Sequence, residues 1–379
     1  MNAQNYGFIY NELIVDPSRN IITKRLRKSL IDSSTTCSGT DMAARQQQRK
    51  DGERKLRKEI QFYVSLQGKS GSYCRIPAPF VMPRVVSLSM SMDKDPELQI
   101  QYFQDYEPLT ERFPYASATE SMRVIREILD HIRPLHEHSP RIQITHEEYN
   151  QALKTEVYDK IVERYSSVSW TDIYPEFERL THVNGVKVRP LMEYATILYD
   201  RIQSLSADRV KTQTVVKDGR HTLRQCLTYI HGDIHLGNIL VPDKWACIES
   251  DTPRYVFIDP RGYFASYGIF GEPHYDYAKL LFGISGYSVF DQMAIEECEV
   301  SDVPDVNELN IQIPFIEKYS NIYESLDDPD WKSAVPELTD ELTRLLSLSI
   351  WLGNNSTFIS PHKKLTSLMI SRYMCERFL

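Results

Sequence analysis

The sequence has few cysteines for its length, and they follow no pattern. Cys37, Cys74, Cys226, Cys247, Cys298 and Cys375 are scattered through 379 residues with no C-x-x-C pair and no framework spacing. That excludes a disulfide scaffold and describes free thiols in a reducing compartment. No apolar run approaches the length of a membrane span and no N-terminal signal pattern is present, so a cytoplasmic protein without a membrane partner is expected. The sequons in Asn354-Asn355-Ser356-Thr357 have no meaning in such a compartment. Basic residues are not in excess: the formal charge is −8, where a nucleic-acid-binding domain would be basic, so no nucleic-acid partner is expected. A cationic substrate is compatible with that charge, although net charge does not describe one pocket. Internal repeats and low-complexity tracts are missing as well, and no pattern indicates the oligomeric state.

What is present is ordinary in bulk and specific in one place. Hydrophobic residues make up 41% and charged residues 25%, enough for a sizeable core. The length fits two or three domains, or one two-lobed enzyme. Leu227 to Ile230, Ile239 to Val241 and Tyr255 to Ile258 are short runs rich in Ile, Val, Tyr and Phe, the pattern of buried strands. Between the first two lies His231-Gly232-Asp233-Ile234-His235-Leu236-Gly237-Asn238, and the third ends on Asp259. A carboxylate, a carboxamide five residues later and a strand-borne Asp are what phosphoryl transfer needs. One acid receives the acceptor's proton, and oxygen ligands hold Mg²⁺ against the phosphates. Singly, Asp233 and Asn238 would be ordinary turn residues. Together they match the D-x-x-x-x-N spacing of kinase catalytic loops.

H-G-D-x-H-x-x-N followed by I-D-P resembles the aminoglycoside phosphotransferase and choline kinase superfamily. The resemblance implies an α+β, two-lobed protein-kinase-like fold, with a small β-rich N-lobe over residues 1–107 and a larger, mainly helical C-lobe over 108–379. It implies ATP (or GTP) and Mg²⁺ as cofactors and a small-molecule hydroxyl acceptor: an amino alcohol, amino sugar or sugar. Asp233 would be the catalytic base, with Asn238 and Asp259 the Mg²⁺ ligands. Gly271-Glu272-Pro273-His274-Tyr275-Asp276-Tyr277-Ala278 resembles the family's G-D-P-x-x-D-L-A stretch, whose second Asp braces the catalytic loop; Asp276 takes that role, with helix capping as the plainer alternative. Gly-x-Gly-x-x-Gly has no counterpart before the first strand. Only Gly7 offers a short phosphate-covering turn, and the chain starts near where the family's first strand would end. A protein kinase is the weaker fit, because IDPRG replaces D-F-G and no A-P-E segment follows. From a different class, a catalytically silent nucleotide-binding scaffold is the alternative.

The remaining candidates follow from local pattern. Phe8 to Val15 and Ile21 to Leu26 are expected strands around the turn Asp16 to Asn20. Lys24 lies in the second, where a kinase-like lobe places its phosphate-contacting lysine; Arg25, Arg27 and Lys28 are its rivals. A helix from about Asp41 or Asp51 to Gln67 carries Leu56, Ile60, Tyr63 and Leu66 on one face, with Glu59 beside them as the expected partner of Lys24 and Glu53 as runner-up. Gly68-Lys69-Ser70 imitates the tail of a Walker A loop, but Tyr63 stands where its first glycine is required. Strands are expected within Phe80 to Met92 and Leu98 to Phe103, and Gln104 to Pro108 is the expected hinge.

Helices should then open at the capping boxes Ser117-x-x-Glu120 and Thr145-x-x-Glu148, and a third should span Leu191 to Leu205. Ser166 to Arg189 looks irregular, and Lys211 to Arg224 suggests a hairpin about Asp218-Gly219. His231 and His235 flank Asp233 without a third zinc ligand, so His231 is expected to hold the loop and His235 to touch the core or the substrate. Arg261 is the cation placed to meet a phosphate or an acidic substrate. Ile311 to Tyr323, Val335 to Leu352 and His362 to Phe378 carry periodic apolar positions and are expected to be helical.

Overall fold

The computed structural model describes residues 11–27, 39–67, 79–91, 94–211, 215–217, 220–222, 224–243, 252–294, 299–303, 307–312, 322–354, 358 and 360–379. Gly7, Lys28 and the Gly68–Ser70 segment lie outside them. The chain is an α+β protein with a small β-rich lobe and a larger, mainly helical one. Strands β1 (Asn11–Asp16), β2 (Ile21–Leu26), β3 (Val85–Ser89) and β4 (Glu97–Gln101) form an antiparallel sheet in the order β1-β2-β4-β3. Helix α1 (Gly39–Gln67) packs on it through Leu56, Ile60, Tyr63 and Leu66, all buried. On β2 the alternation of a pleated strand puts Lys24 and Leu26 on the same inward face.

The two lobes are joined by packing as well as by chain. Phe80 stacks on Phe257 with ring centroids 4.8 Å apart, and the Phe257 N–H donates to the Val81 carbonyl at 2.9 Å. Tyr106–Pro108 runs antiparallel to strand Ile239–Pro242, whose other neighbour is Val256–Phe257. The strand before the octet, Arg224–Tyr229, pairs instead with Ile142–Thr145 and Phe270–Gly271. The octet therefore bridges two sheets rather than closing a hairpin.

Helix α2 (Ala118–His138) starts at Ser117, whose hydroxyl accepts from the Glu120 N–H, and buries Ile125, Ile128, Leu129, Ile132 and Leu135. Thr145 and Glu148 form a reciprocal capping box at the start of α3 (His146–Lys154), which runs through a π-turn into α4 (Lys160–Ser166). Helices α5 (Leu191–Lys211), α6 (Pro273–Phe282), α7 (Glu341–Leu352) and α8 (Pro361–Phe378) are the longer helices of the rest of the larger lobe. Val215–Lys217 and Arg220–Thr222 pair as a hairpin, its turn residues 218 and 219 lying outside the described residues.

Two stretches depart from expectation. Asp340 is extended and caps α7, so the helix expected over Val335 to Leu352 is split into Pro336–Thr339 and α7. Ile311 belongs to strand Glu308–Gln312, which pairs with Glu299–Val303 and, in parallel, with His182–Val183 from the 166–189 segment. Its short alternation buries Leu309 and Ile311 on one face, a period-2 pattern that a helical reading of the longer run overrides. Residues 313–321 lie outside the described set.

Candidate active site

Lys24 is 3% exposed and bonds two carboxylates at once, Glu59 Oε2 at 2.7 Å and Asp259 Oδ1 at 2.9 Å. Glu59 comes from α1 because it lies one position before Ile60 on the stripe facing the sheet. The rivals are engaged elsewhere: Arg25 pairs with Glu12, Arg27 donates to the Asn11 carbonyl, and Glu53 pairs with Arg57. Although burial works against the charge of Lys24, its two carboxylates outweigh burial and raise its pKa. Burial lifts Glu59 to about 7 against the pull of Lys24, with the Asp259 charge adding to the rise. One ammonium facing two carboxylates leaves the cluster with a negative excess that a cation would offset.

Asp259 takes a left-handed backbone conformation, φ 55°, which Asp tolerates better than most residues. Gly262 follows at φ 68°, and a β-carbon there would lie 2.3 Å from the Lys58 carbonyl of α1. Only glycine lets the helix carrying Glu59 approach the loop carrying Asp259 this closely. Gly262→Ala should therefore push α1 outward, weaken the Lys24–Glu59 pair and destabilise the fold by about 2 kcal/mol or more. Equilibrium denaturation checks this, and an unchanged midpoint would mean the contact yields freely.

The loop itself is fixed from three directions. The Asn238 side-chain N–H donates to the Asp233 carbonyl at 2.9 Å, which leaves Oδ1 of the carboxamide for a cation. The Ile258 N–H donates to the Asn238 carbonyl at 3.0 Å, so Asp259 follows directly after the residue bonded to Asn238. Asp276, fully buried, accepts from the His231 N–H at 2.9 Å and the Gly232 N–H at 2.6 Å, with His136 Nε2 at 3.0 Å. His231 accepts from the Asp233 N–H at 3.3 Å and lies edge-on to Phe62 and Phe257. Burial pushes the His231 pKa down, which favours a neutral ring holding the loop.

Asp233 meets Lys279 of α6, Oδ1 to Nζ 2.8 Å. Burial would raise its pKa, but Lys279 and the neighbouring His235 hold it well below the usual carboxylate range. His235 accepts from the Gly237 N–H at 3.2 Å and presents its ring to Tyr287. Arg261 departs from the expected phosphate or substrate contact. Its guanidinium forks onto Glu156 at 2.8 and 3.0 Å, donates to the Tyr275 hydroxyl at 2.7 Å and stacks over Tyr263.

His136, Glu156 and Lys279 carry no sequence mark of these roles. Lys279 sits inside the G-E-P-H-Y-D-Y-A-K stretch, and only the extra cation after Ala278 hints at it.

Glu156 and Glu272 set an acid limit. Burial acts to raise both; Arg261 and Lys160 hold Glu156 at about 2, and His274 and Tyr149 hold Glu272 at about 2. Both folded values lie below the ordinary 4.5, so their stabilisation is complete above that pH and is lost as pH falls toward 2. Stability should drop by several kcal/mol, roughly, between pH 5 and 2. In Glu156→Gln the acid loss should be shallower, and equal slopes for variant and parent would refute the assignment.

The donor set suits Mg²⁺: a carboxamide oxygen, a carboxylate and a local negative excess are hard-ligand chemistry. Among the described residues no group of three or more His, Cys, Asp or Glu forms a metal cage.

No family model matches the chain, and no curated protein matches it. Among solved structures it is similar to a glucosamine kinase in complex with glucosamine, ADP and inorganic phosphate, at 13% identity over 82% of this chain and 70% of that one, TM-score 0.45. It is likewise similar to the GDP complex of wild-type aminoglycoside 2'-phosphotransferase-IIIa, at 14% identity over 98% of this chain and 89% of that one, TM-score 0.44.

Proposed function

We propose that the chain is an ATP- (or GTP-) and Mg²⁺-dependent kinase that phosphorylates a hydroxyl of a small molecule. What supports this most is Lys24, one buried ammonium tied to Glu59 within its own lobe and to Asp259 across the lobes. Asn238 Oδ1 and the Asp259 carboxylate would hold Mg²⁺, which when bound supplies positive charge to the phosphate oxygens. Lys24 would contact the nucleotide phosphates, its direction fixed by Glu59. Asp233, ionised throughout the neutral range, would accept the acceptor's proton as the new O–P bond forms and the bond to the leaving diphosphate breaks. Asp276, His231 and His136 would keep that carboxylate in place. The amino alcohols, amino sugars and sugars expected from sequence, together with their acidic counterparts, are the acceptors to screen by Mg²⁺-dependent nucleotide consumption.

Asp259→Asn keeps the side-chain shape and its tolerance of positive φ but removes the charge. Mg²⁺-dependent nucleotide binding should weaken about tenfold or more, a scale set by one charged ligand. Titration of Mg²⁺ at fixed nucleotide measures it, and wild-type metal dependence would count against the assigned ligand.

The rival, a silent nucleotide-binding scaffold, draws on Lys279, which occupies Oδ1 of Asp233. Nucleotide binding without turnover on any acceptor would favour that rival.

A further inference from the structure

Building on the kinase assignment above, we infer that the acceptor carries an anionic group, a carboxylate or a phosphate, bound by Lys160, Arg164 and Lys279 beside Asp233. Glu156, Lys160 and Arg164 follow one another at four-residue steps through the π-turn and α4, so they share a face. That face, Lys279 of α6, Ser349 and Ile350 of α7 and the following Gly353 and Asn354 line a small cleft.

The charges of the cleft do not balance. Glu156 is its lining carboxylate, and both its oxygens are committed: Arg261 takes them at 2.8 and 3.0 Å, and the Ala265 N–H donates at 2.8 Å. Lys160 reaches Glu156 only at 3.5 Å and donates to the Tyr275 hydroxyl at 3.2 Å. Lys279 is paired with Asp233. Arg164 donates to the Gly353 carbonyl, and among the described residues no carboxylate pairs with it. A guanidinium has five N–H donors in a fork that matches a carboxylate or phosphate.

A half-buried cation without a counter-charge is costly, and an anionic ligand supplies that counter-charge. Burial, reinforced by Arg261, Arg164 and Lys279, pushes the Lys160 pKa well down, which an arriving anion would reverse. A protonated amine would meet Arg164 and Lys279 here and would suppress the charge of Lys160 further, so amino alcohols and amino sugars are disfavoured. Lys279 joins recognition to chemistry: drawn toward the acceptor's anion, it leaves Asp233 Oδ1 open for the hydroxyl proton.

Calorimetric titration of the full chain loaded with Mg·ADP tests this, using two matched sets of probes. One set is glycerol, serinol, glycerate and glycerol phosphate; the other is glucose, glucosamine, glucuronate and glucose phosphate. At least one acid should bind about tenfold tighter or better than its neutral and amino counterparts, and the carboxylate and phosphate arms separate the two sources. Arg164→Met and Lys160→Met should each weaken that binding by about 10- to 100-fold, the scale of one charge-assisted contact, with Mg·ADP affinity kept. Acids that bind no better than glycerol or glucose, tighter binding of serinol or glucosamine, or acid binding untouched in both variants would each overturn the anion site. The kinase assignment fails separately, if Mg·ADP does not bind or if a bound acid is never phosphorylated with Mg·ATP.

Discussion

Asp233→Asn should lower kcat by about two to four orders of magnitude, the range for losing a positioned general base, while Mg·nucleotide affinity and thermal stability stay close to the parent's. The carboxamide is isosteric, so the loop hydrogen bonds survive: Asn238 donates to the backbone carbonyl of residue 233, and the residue 233 N–H still reaches His231. What goes is the negative charge that accepts a proton. The charge also pairs with Lys279, but the Asp233 side chain is 35% exposed, so solvent blunts the loss of that ion pair. Steady-state kinetics at saturating nucleotide, beside a melting curve, separates the outcomes. Equal loss of stability and activity would mean that residue 233 holds the loop rather than takes the proton. Retained turnover would move the base elsewhere.

Whether such chemistry is legible in a sequence depends on how local its determinants are. Asp233 and Asn238 lie on one loop, and Asp259 follows the strand that pairs beside it, so a short motif and its family resemblance carry their relation. Lys24 is marked by its place in the second strand and the kinase-like resemblance, and Glu59 by the helical stripe that carries it beside Ile60. Both are short-range patterns even though the ion pair is not. Arg261 shows the limit. Its position two residues after Asp259 suggests a phosphate contact, but its partner Glu156 lies 105 residues earlier, and only the packing of the π-turn against the IDPRG loop brings them together. His136 is similarly silent. In sequence it is one polar position near the end of an amphipathic helix, and it gains a task only because α6 delivers Asp276 to it. The strand Glu308–Gln312 escapes for a related reason. Its parallel partner, His182–Val183, comes from a segment with no regular pattern of its own.

The cationic cleft adds a caution about bulk charge. A chain of net −8 builds, beside its candidate base, a pocket whose charged lining is mostly positive. The pocket is set by four-residue spacing through the π-turn and α4 and by a lysine on α6. Net charge bears on solubility and long-range attraction; recognition is decided by the few groups that a ligand touches.

Asp276→Ala should cost about 3–5 kcal/mol of stability, the scale for removing one partner from a buried charged hydrogen-bond set. The carboxylate stands at the first turn of α6, where an acidic residue is ordinarily a cap, and loss of a cap costs only about 1 kcal/mol. The geometry separates the two roles. The cap of α6 is Glu272, which accepts from the His274 N–H, while Asp276 turns toward the loop and takes the N–H groups of His231 and Gly232. Gly232 has φ 79°, so two successive N–H groups converge on one carboxylate, and without it both would be buried and unpaired. His136 would lose its partner at Nε2 as well. In the folded fraction, turnover should fall with the stability, because the loop that carries Asp233 is no longer clamped. A denaturation midpoint shifted by only a cap's worth, with kcat unchanged, would return Asp276 to a helix-end role and leave the loop held by His231 and Asn238 alone.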